Sequence, residues 1–284
     1  MGNRLRWLKG FLVAPLIGTA LLGAISGQPA PQMRLGYYSP VTQSFGWPTR
    51  AQWPAPVGIA PTYYAWGESF QAGFARLALA HGAEQLAELA TWQCQCGPVS
   101  LADVTDGSQD AYLRAFARAV AAFGHPVAVT FDHEMNGCCW YPWQVPPAQA
   151  AVYTAAWRHV WEVMTPIAPN IVWVWAPNEQ QNQAPAAPYW PGSRYVAAAG
   201  VDCYLGVTDT FSGFCGPTVA AIRSRWHGPV WITETGLAPG ANRPGRISAA
   251  LQAARSDHIG AWVYFDKGQF WLHRSGRLAV AQVG

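Results

Sequence analysis

The chain has 284 residues, 51% of them apolar and only 12% charged, with a formal net charge of +3. That length suits one large domain, and the apolar fraction supplies a sizeable core. The small positive charge comes from scattered Lys and Arg, which excludes a basic nucleic-acid face.

The N-terminus reads as a targeting segment. Arg4, Arg6 and Lys9 precede an apolar run from Phe11 to Ile25, broken by Pro15 and Gly18, and small residues Ala24, Ser26 and Gly27 follow. This is the order of a signal peptide, and the run is short against the ~20 residues of a membrane span. Residues 1–30 are therefore expected to be a signal peptide or a retained anchor, and 31–284 a single domain. The expected location is secreted or periplasmic, with membrane contact only through that segment if it stays uncleaved.

Beyond it, strand-type runs alternate with helix-type stretches. Strands are expected at Leu35–Tyr38, Val57–Ile59 continuing to Tyr64, Glu88–Trp92, Val127–Phe131, Ile171–Trp175, Val201–Leu205, Val230–Thr233 and Ala261–Phe265. Apolar runs of this kind suit strands covered on both faces. Helices are expected over Gln109–Phe123, ending at Gly124, and from Pro147 through Val152, Ala156, Val160, Val163 and Met164. Two more are expected over Thr218–Trp226, ending at Gly228, and Ile247–Ser256. A left-handed glycine stops a helix and a first-turn proline starts one. Strand–helix alternation predicts parallel βαβ units, and eight of them predict an α/β fold of the (β/α)8 TIM-barrel type. A doubly wound sheet is the alternative, but no G-x-G-x-x-G phosphate cradle follows the first strand. A P-loop and a G-x-S-x-G elbow are also missing from the sequence.

In such a barrel, chemistry belongs at the C-terminal ends of strands. Two carboxylates stand there: Glu134, in Asp132-His133-Glu134-Met135-Asn136-Gly137 after the fourth strand, and Glu234, in Glu234-Thr235-Gly236 after the seventh. Glycoside hydrolysis needs such a pair, one carboxyl to protonate the leaving oxygen and one to meet the anomeric carbon. Each glutamate alone could equally be a salt-bridge partner or a helix cap near a strand end. With 16 Trp and 11 Tyr in the chain, most rings must fill the core, while the remainder suit a cleft that stacks on sugars.

The segment Phe131–Gly137, followed by Trp140-Tyr141-Pro142-Trp143, resembles the acid/base signature of glycoside hydrolase family 26. Trp173–Asn178, Tyr189–Gly192, Val201–Tyr204 and Trp231–Gly236 resemble that family's later segments in the same order, and Tyr63–Gly67 and Ala90–Gln93 its earlier ones. The resemblance implies a retaining glycosidase with Glu134 as acid/base and Glu234 as nucleophile, and a β-mannan or β-1,3/1,4-glucan-like polysaccharide as substrate. It implies no cofactor, no metal and no nucleic-acid partner, and a monomer is expected. His133, Asn136, Asn178 and Tyr204 would border the sugar or the nucleophile, and Trp66, Trp92, Trp140, Trp143 and Trp262 are candidate stacking platforms.

Three departures from the family pattern bear on substrate. Thr130 stands where an arginine is frequent, Thr235 where an aromatic residue is usual, and Gln93 where an acid is common. Six cysteines in an exported chain favour disulfides, against free thiols or a metal site. The spacing Cys94-x-Cys96 and the pair Cys138-Cys139 do not match C-x2-C zinc ligands. A disulfide is expected to join the loops after strands three and four, with Cys203–Cys215 as a second pairing.

Two other functions are compatible with these residues. One is a barrel that binds polysaccharide for export without cleaving it. The other is a metal-dependent hydrolase using His125, His133 and Glu134, which strand alternation disfavours because neighbours on a strand face opposite ways.

Overall fold

The computed structural model describes residues 32–93 and 97–272. The targeting segment expected over 1–30 lies outside them, as do Cys94 and Cys96. Among the described residues, no helix is long and apolar enough to cross a membrane.

One parallel sheet organises the fold. Its strands are β1 Arg34–Tyr38, β2 Ile59–Ala65, β3 Glu84–Ala90, β4 Val127–Phe131, β5 Ile171–Trp175, β6 in two pieces (Ala198–Ala199 and Asp202–Leu205), β7 Trp231–Leu237 and β8 Ala261–Phe265. The first piece of β6 pairs with β5 and the second with β7, while β8 pairs with β1. A bridge from Ala199 to Val230 joins the first piece to the start of β7. The sheet thus closes on itself as the expected (β/α)8 barrel.

Helices α1 Pro40–Gln43, α2 Ala72–Ala80, α3 Leu101–Thr105, α4 Asp110–Phe123, α5 Ala150–Met164, α6 Phe211–Phe214, α7 Gly216–Arg223 and α8 Arg243–Ser256 follow the strands. Gly124 ends α4 at φ 78°, the left-handed cap that its sequence position predicts. Of the apolar residues at helical spacing on α5, Ala156, Val160, Val163 and Met164 are buried and Val152 is exposed.

Side-chain parity along the strands divides the apolar interior in two. Ile59, Leu86, Ala128, Val174, Ala198, Trp231, Ala261 and Val263 fill the barrel's inside. The alternate residues, among them Tyr64, Val129, Trp173, Trp262 and Tyr264, pack outward against the helices. Above the inner apolar plug the inward positions turn polar: Tyr63 on β2, Glu88 on β3, Thr130 on β4 and Asp202 on β6. That change makes the floor of the site.

Two disulfides are formed among the described residues, Cys138–Cys139 and Cys203–Cys215. The second is as expected. The first overturns the expected link between the β3 and β4 loops, because Cys138 and Cys139 are spent on each other. Cys203, buried in β6, ties that strand to buried Cys215 at the start of α7. Breaking this bridge in a Cys203→Ser/Cys215→Ser variant should cost about 3 kcal/mol of stability, read as a lower midpoint in denaturant; an unchanged midpoint would contradict it.

Candidate active site

The end of β4 determines how the site is built. Regular strand geometry stops at Phe131, and Asp132 and Glu134 take left-handed backbone conformations with φ 47° and 55°. Such non-glycine conformations persist only where the surroundings over-determine them. Here they do. Asp132 N–H donates to Leu89 O and Glu134 N–H to Ala176 O, at 2.9 and 2.8 Å. The Asp132 carboxylate accepts from the Thr91 backbone N–H at 2.7 Å and from its hydroxyl. Trp143 Nε1 donates to His133 O at 2.7 Å, and Gln144 Nε2 to Glu134 O at 2.9 Å. The broken alternation brings both His133 and Glu134 to the barrel mouth, on the same side as Glu234.

On β7 a second irregularity has a matching effect. The pairing with β8 slips between Ile232 and Thr235. Trp231 faces inward, so strict alternation would send Glu234 outward; the slip re-aims it into the cleft. In register it lies beside Asp202 of β6.

Carboxylate oxygens of Glu134, Asp202 and Glu234 then lie within 4.8 Å of one another. All three residues are buried. This all-oxygen trio is close enough to share one hard cation. Tyr63 O–H donates to Glu234 Oε1 at 2.5 Å, and Tyr204 O–H donates to Oε2. Glu134 instead receives the indole N–H of Trp140 at 2.9 Å.

Burial pushes the Glu234 carboxyl up and an ionised Glu134 pushes it up further, while the two phenols pull it down. Burial raises Glu134 as well, opposed by Trp140 and by the Asn178 amide. The Asn178 Nδ2 is close enough to act on Glu134 yet makes no well-formed hydrogen bond, so Trp140 is the firmer donor. Two carboxylates so placed do not both ionise near neutral pH.

Three features of the site are not obvious in the sequence. Asp202 is held well above the usual carboxylate range by burial and by Glu234, and Glu88 by burial and by Glu234. Tyr141 stacks on Trp143, ring centres 4.5 Å apart, and stands edge-on to His133. Phe265 and Phe270 flank the Tyr204 ring, Phe270 stacked on it at 4.6 Å. Period-two parity within β2, β3 and β6 was the available signal for Tyr63, Glu88 and Asp202.

The nominated residues separate. Trp92 and Trp140 are 46% and 48% exposed and line, with Trp143, Tyr141, His133 and Tyr63, a cleft of about 390 Å3. Trp66 and Trp262 do not reach it. Trp66 is buried against Tyr112 and Phe131, its Nε1 donating to Gln109 Oε1 at 2.9 Å. Trp262 is on the outward face of β8 against Tyr264. Both are core residues rather than platforms. Asn136 is occupied by the backbone: it donates to Asn178 O and Ala184 O and accepts from Asn178 N–H. It clamps the β4 and β5 loops together. His125 lines a separate hollow near the start of β4, with Arg34, Glu84 and Pro126. It does not join His133 and Glu134, which removes the metal-hydrolase triad.

The sequence model described as Glycosyl hydrolase family 26 matches residues 112–226, which contain Glu134 and its aromatic loop. Endoglucanase H of Acetivibrio thermocellus is 26% identical over 198 residues. The chain is thus similar to glycosyl hydrolase family 26 over residues 112–226. The endoglucanase match spans 63% of the chain but 22% of that much longer protein. Among solved structures, the YdhT protein of Bacillus subtilis superposes with a TM-score of 0.66 at 20% identity, covering 89% of this chain and 85% of its own. The Bacillus subtilis mannanase BCman gives 0.63 at 20% identity, over 86% and 83%. These likenesses show that the barrel is shared.

The phenol contacts of this site are testable without substrate. Tyr63→Phe removes a donor that favours ionised Glu234, so the Glu234 titration should move to higher pH by about one unit, followed by carboxyl 13C NMR. An unmoved titration would show that the contact does not form.

Proposed function

We propose that the chain is a retaining, endo-acting glycoside hydrolase for β-linked polysaccharide of the β-mannan or β-1,3/1,4-glucan kind, with Glu134 as acid/base and Glu234 as nucleophile. The observation that carries this is the unequal company of two adjacent buried carboxyls. Glu234 accepts two phenol hydroxyls, one on each oxygen, whereas Glu134 accepts one indole N–H. Donors to a carboxylate favour its ionised form. The pair's shared proton therefore resides on Glu134, and the charge on Glu234.

The chemistry follows from that division. Glu134 gives its proton to the glycosidic oxygen while ionised Glu234 attacks the anomeric carbon, forming a glycosyl ester and releasing the leaving sugar as an alcohol. Once Glu234 is esterified its charge is gone, and ionised Glu134 takes a proton from the water that cleaves the ester. A separation within 4.8 Å supports this route, since retaining pairs stand about 5–5.5 Å apart and inverting pairs need room for a water. Trp92, Trp140 and Trp143 provide the aromatic surface beside the pair. The names of the endoglucanase and mannanase relatives support the substrate class, and the Cys203–Cys215 bridge supports an exported protein. We read the enzyme as acting alone, without cofactor.

Reducing-sugar release from β-mannan, mixed-linkage glucan and β-1,3-xylan tests the proposal. One or more should be cleaved, and Glu134→Gln and Glu234→Gln should each lower kcat at least about a thousandfold. Tight binding with no release from any of them would favour a binding barrel instead.

A further inference from the structure

Behind the catalytic pair stands a carboxyl that the proposed reaction does not use. Glu88 faces the barrel interior from β3, in register with Thr130 of β4. Both its oxygens and the Thr130 hydroxyl are buried without a hydrogen-bond partner among the described residues. Thr130 stands where the family resemblance leads one to expect an arginine, so the position that would offer Glu88 a cation offers a small neutral side chain.

The ionisable groups that face Glu88 from the packed elements are Tyr38 on β1, Tyr63 on β2, Glu134 and Tyr141 after β4, Asp202 on β6 and Glu234 on β7. All are acids, and the one base that faces Glu88, His133, is held neutral by burial. A buried carboxylate with no cation beside it retains its proton, and a protonated carboxyl is a hydrogen-bond donor.

One acceptor is at hand. His133 lies between Glu88 and Glu234, with Nδ1 3.7 Å from Glu88 Oε2 and Nε2 3.9 Å from Glu234 Oε1. Nδ1 has no other partner among the described residues, and burial pushes the imidazole down to about 4, leaving it neutral. A neutral imidazole has one N–H, and the bond made by one nitrogen decides which nitrogen carries it.

We propose that Glu88 is a positioning residue that, as the neutral acid, donates to His133 Nδ1 and so fixes the Nε2–H tautomer facing Glu234. A movement of less than ~1 Å brings the 3.7 Å approach into hydrogen-bond range. The Nε2–H then becomes a third donor aimed at the nucleophile, beside the two phenols. It stabilises the charge on Glu234 before attack and again as the ester breaks. The role of Glu234 here rests on the function proposed above; the tautomer itself does not.

The experiment is 15N NMR of the histidine side chains between pH 5 and 8, with His133 assigned by its loss in His133→Gln, on wild type, Glu88→Gln and Glu88→Ala. Glutamine keeps a donor and cannot ionise. Wild type and Glu88→Gln should show the Nε2–H tautomer, with kcat within about threefold of each other, while Glu88→Ala should lose that tautomer preference and at least about tenfold in kcat with little change in KM. An Nδ1–H tautomer in wild type would overturn the proposal, as would a Glu88→Gln variant behaving like Glu88→Ala. If Glu88→Ala fails to fold, wild type and Glu88→Gln still decide. Should no polysaccharide be cleaved, the function would fail while the NMR still judged the role of Glu88.

Discussion

The structure depends on a mutual constraint between two buried carboxyls. Glu134 and Glu234 lie within 4.8 Å in a barrel mouth that largely excludes water, where ionising both is costly. One proton must stay. Which residue holds it is decided by neighbours rather than by the glutamates, and the neighbours are unequal: two phenols against one indole. The acid and the nucleophile of the proposed reaction are thus assigned by hydrogen bonding.

Two local breaks in strand geometry bring the pair together. The left-handed residues after β4 and the slip in β7 each defeat the alternation that would separate these side chains. Both are held by groups from adjacent strands: Leu89 and Thr91 at β3, Ala176 at β5, and Asp202 and Cys203 on β6. Thr235 adds a hydroxyl bond to Cys203 O at 2.6 Å, which gives a purpose to a residue that departs from the family pattern. The barrel and the site are therefore not separable: the closed sheet supplies the carbonyls and amides that hold the irregular ends in place.

Much of this was legible in the sequence. Eight strand runs and the Gly124 helix stop are local patterns, and they predict a barrel, although the helix expected to run to Gly228 ends at Arg223. The acid/base loop is a contiguous motif, so Glu134, His133 and Trp140 could be singled out together. The third strand was misplaced, expected at Glu88–Trp92 and found at Glu84–Ala90, with Trp92–Gln93 pairing instead with Gly97–Pro98. The polar stretch Glu84-Gln85 conceals its start, because Glu84 is neutralised by Arg34 at the barrel rim. That misplacement also hid Glu88, which reads as a strand's first residue until the strand is moved and it becomes an inward position near the middle. Trp262 was nominated for its type, although its parity with Tyr264 points it away from the mouth. Partners across the barrel, such as Tyr63 with Glu234, are 171 residues apart and leave no local trace.

In the proposed reaction Glu234 attacks as an ionised nucleophile while Glu134 carries the proton. Its stereochemical consequence can be followed directly by 1H NMR of the anomeric signals during cleavage of a β-linked oligosaccharide. Two displacements at one carbon predict that the first sugar released is the β-anomer, which then mutarotates towards α. An α-anomer appearing first would mean that water attacks in a single step, and would contradict the assignment of Glu234.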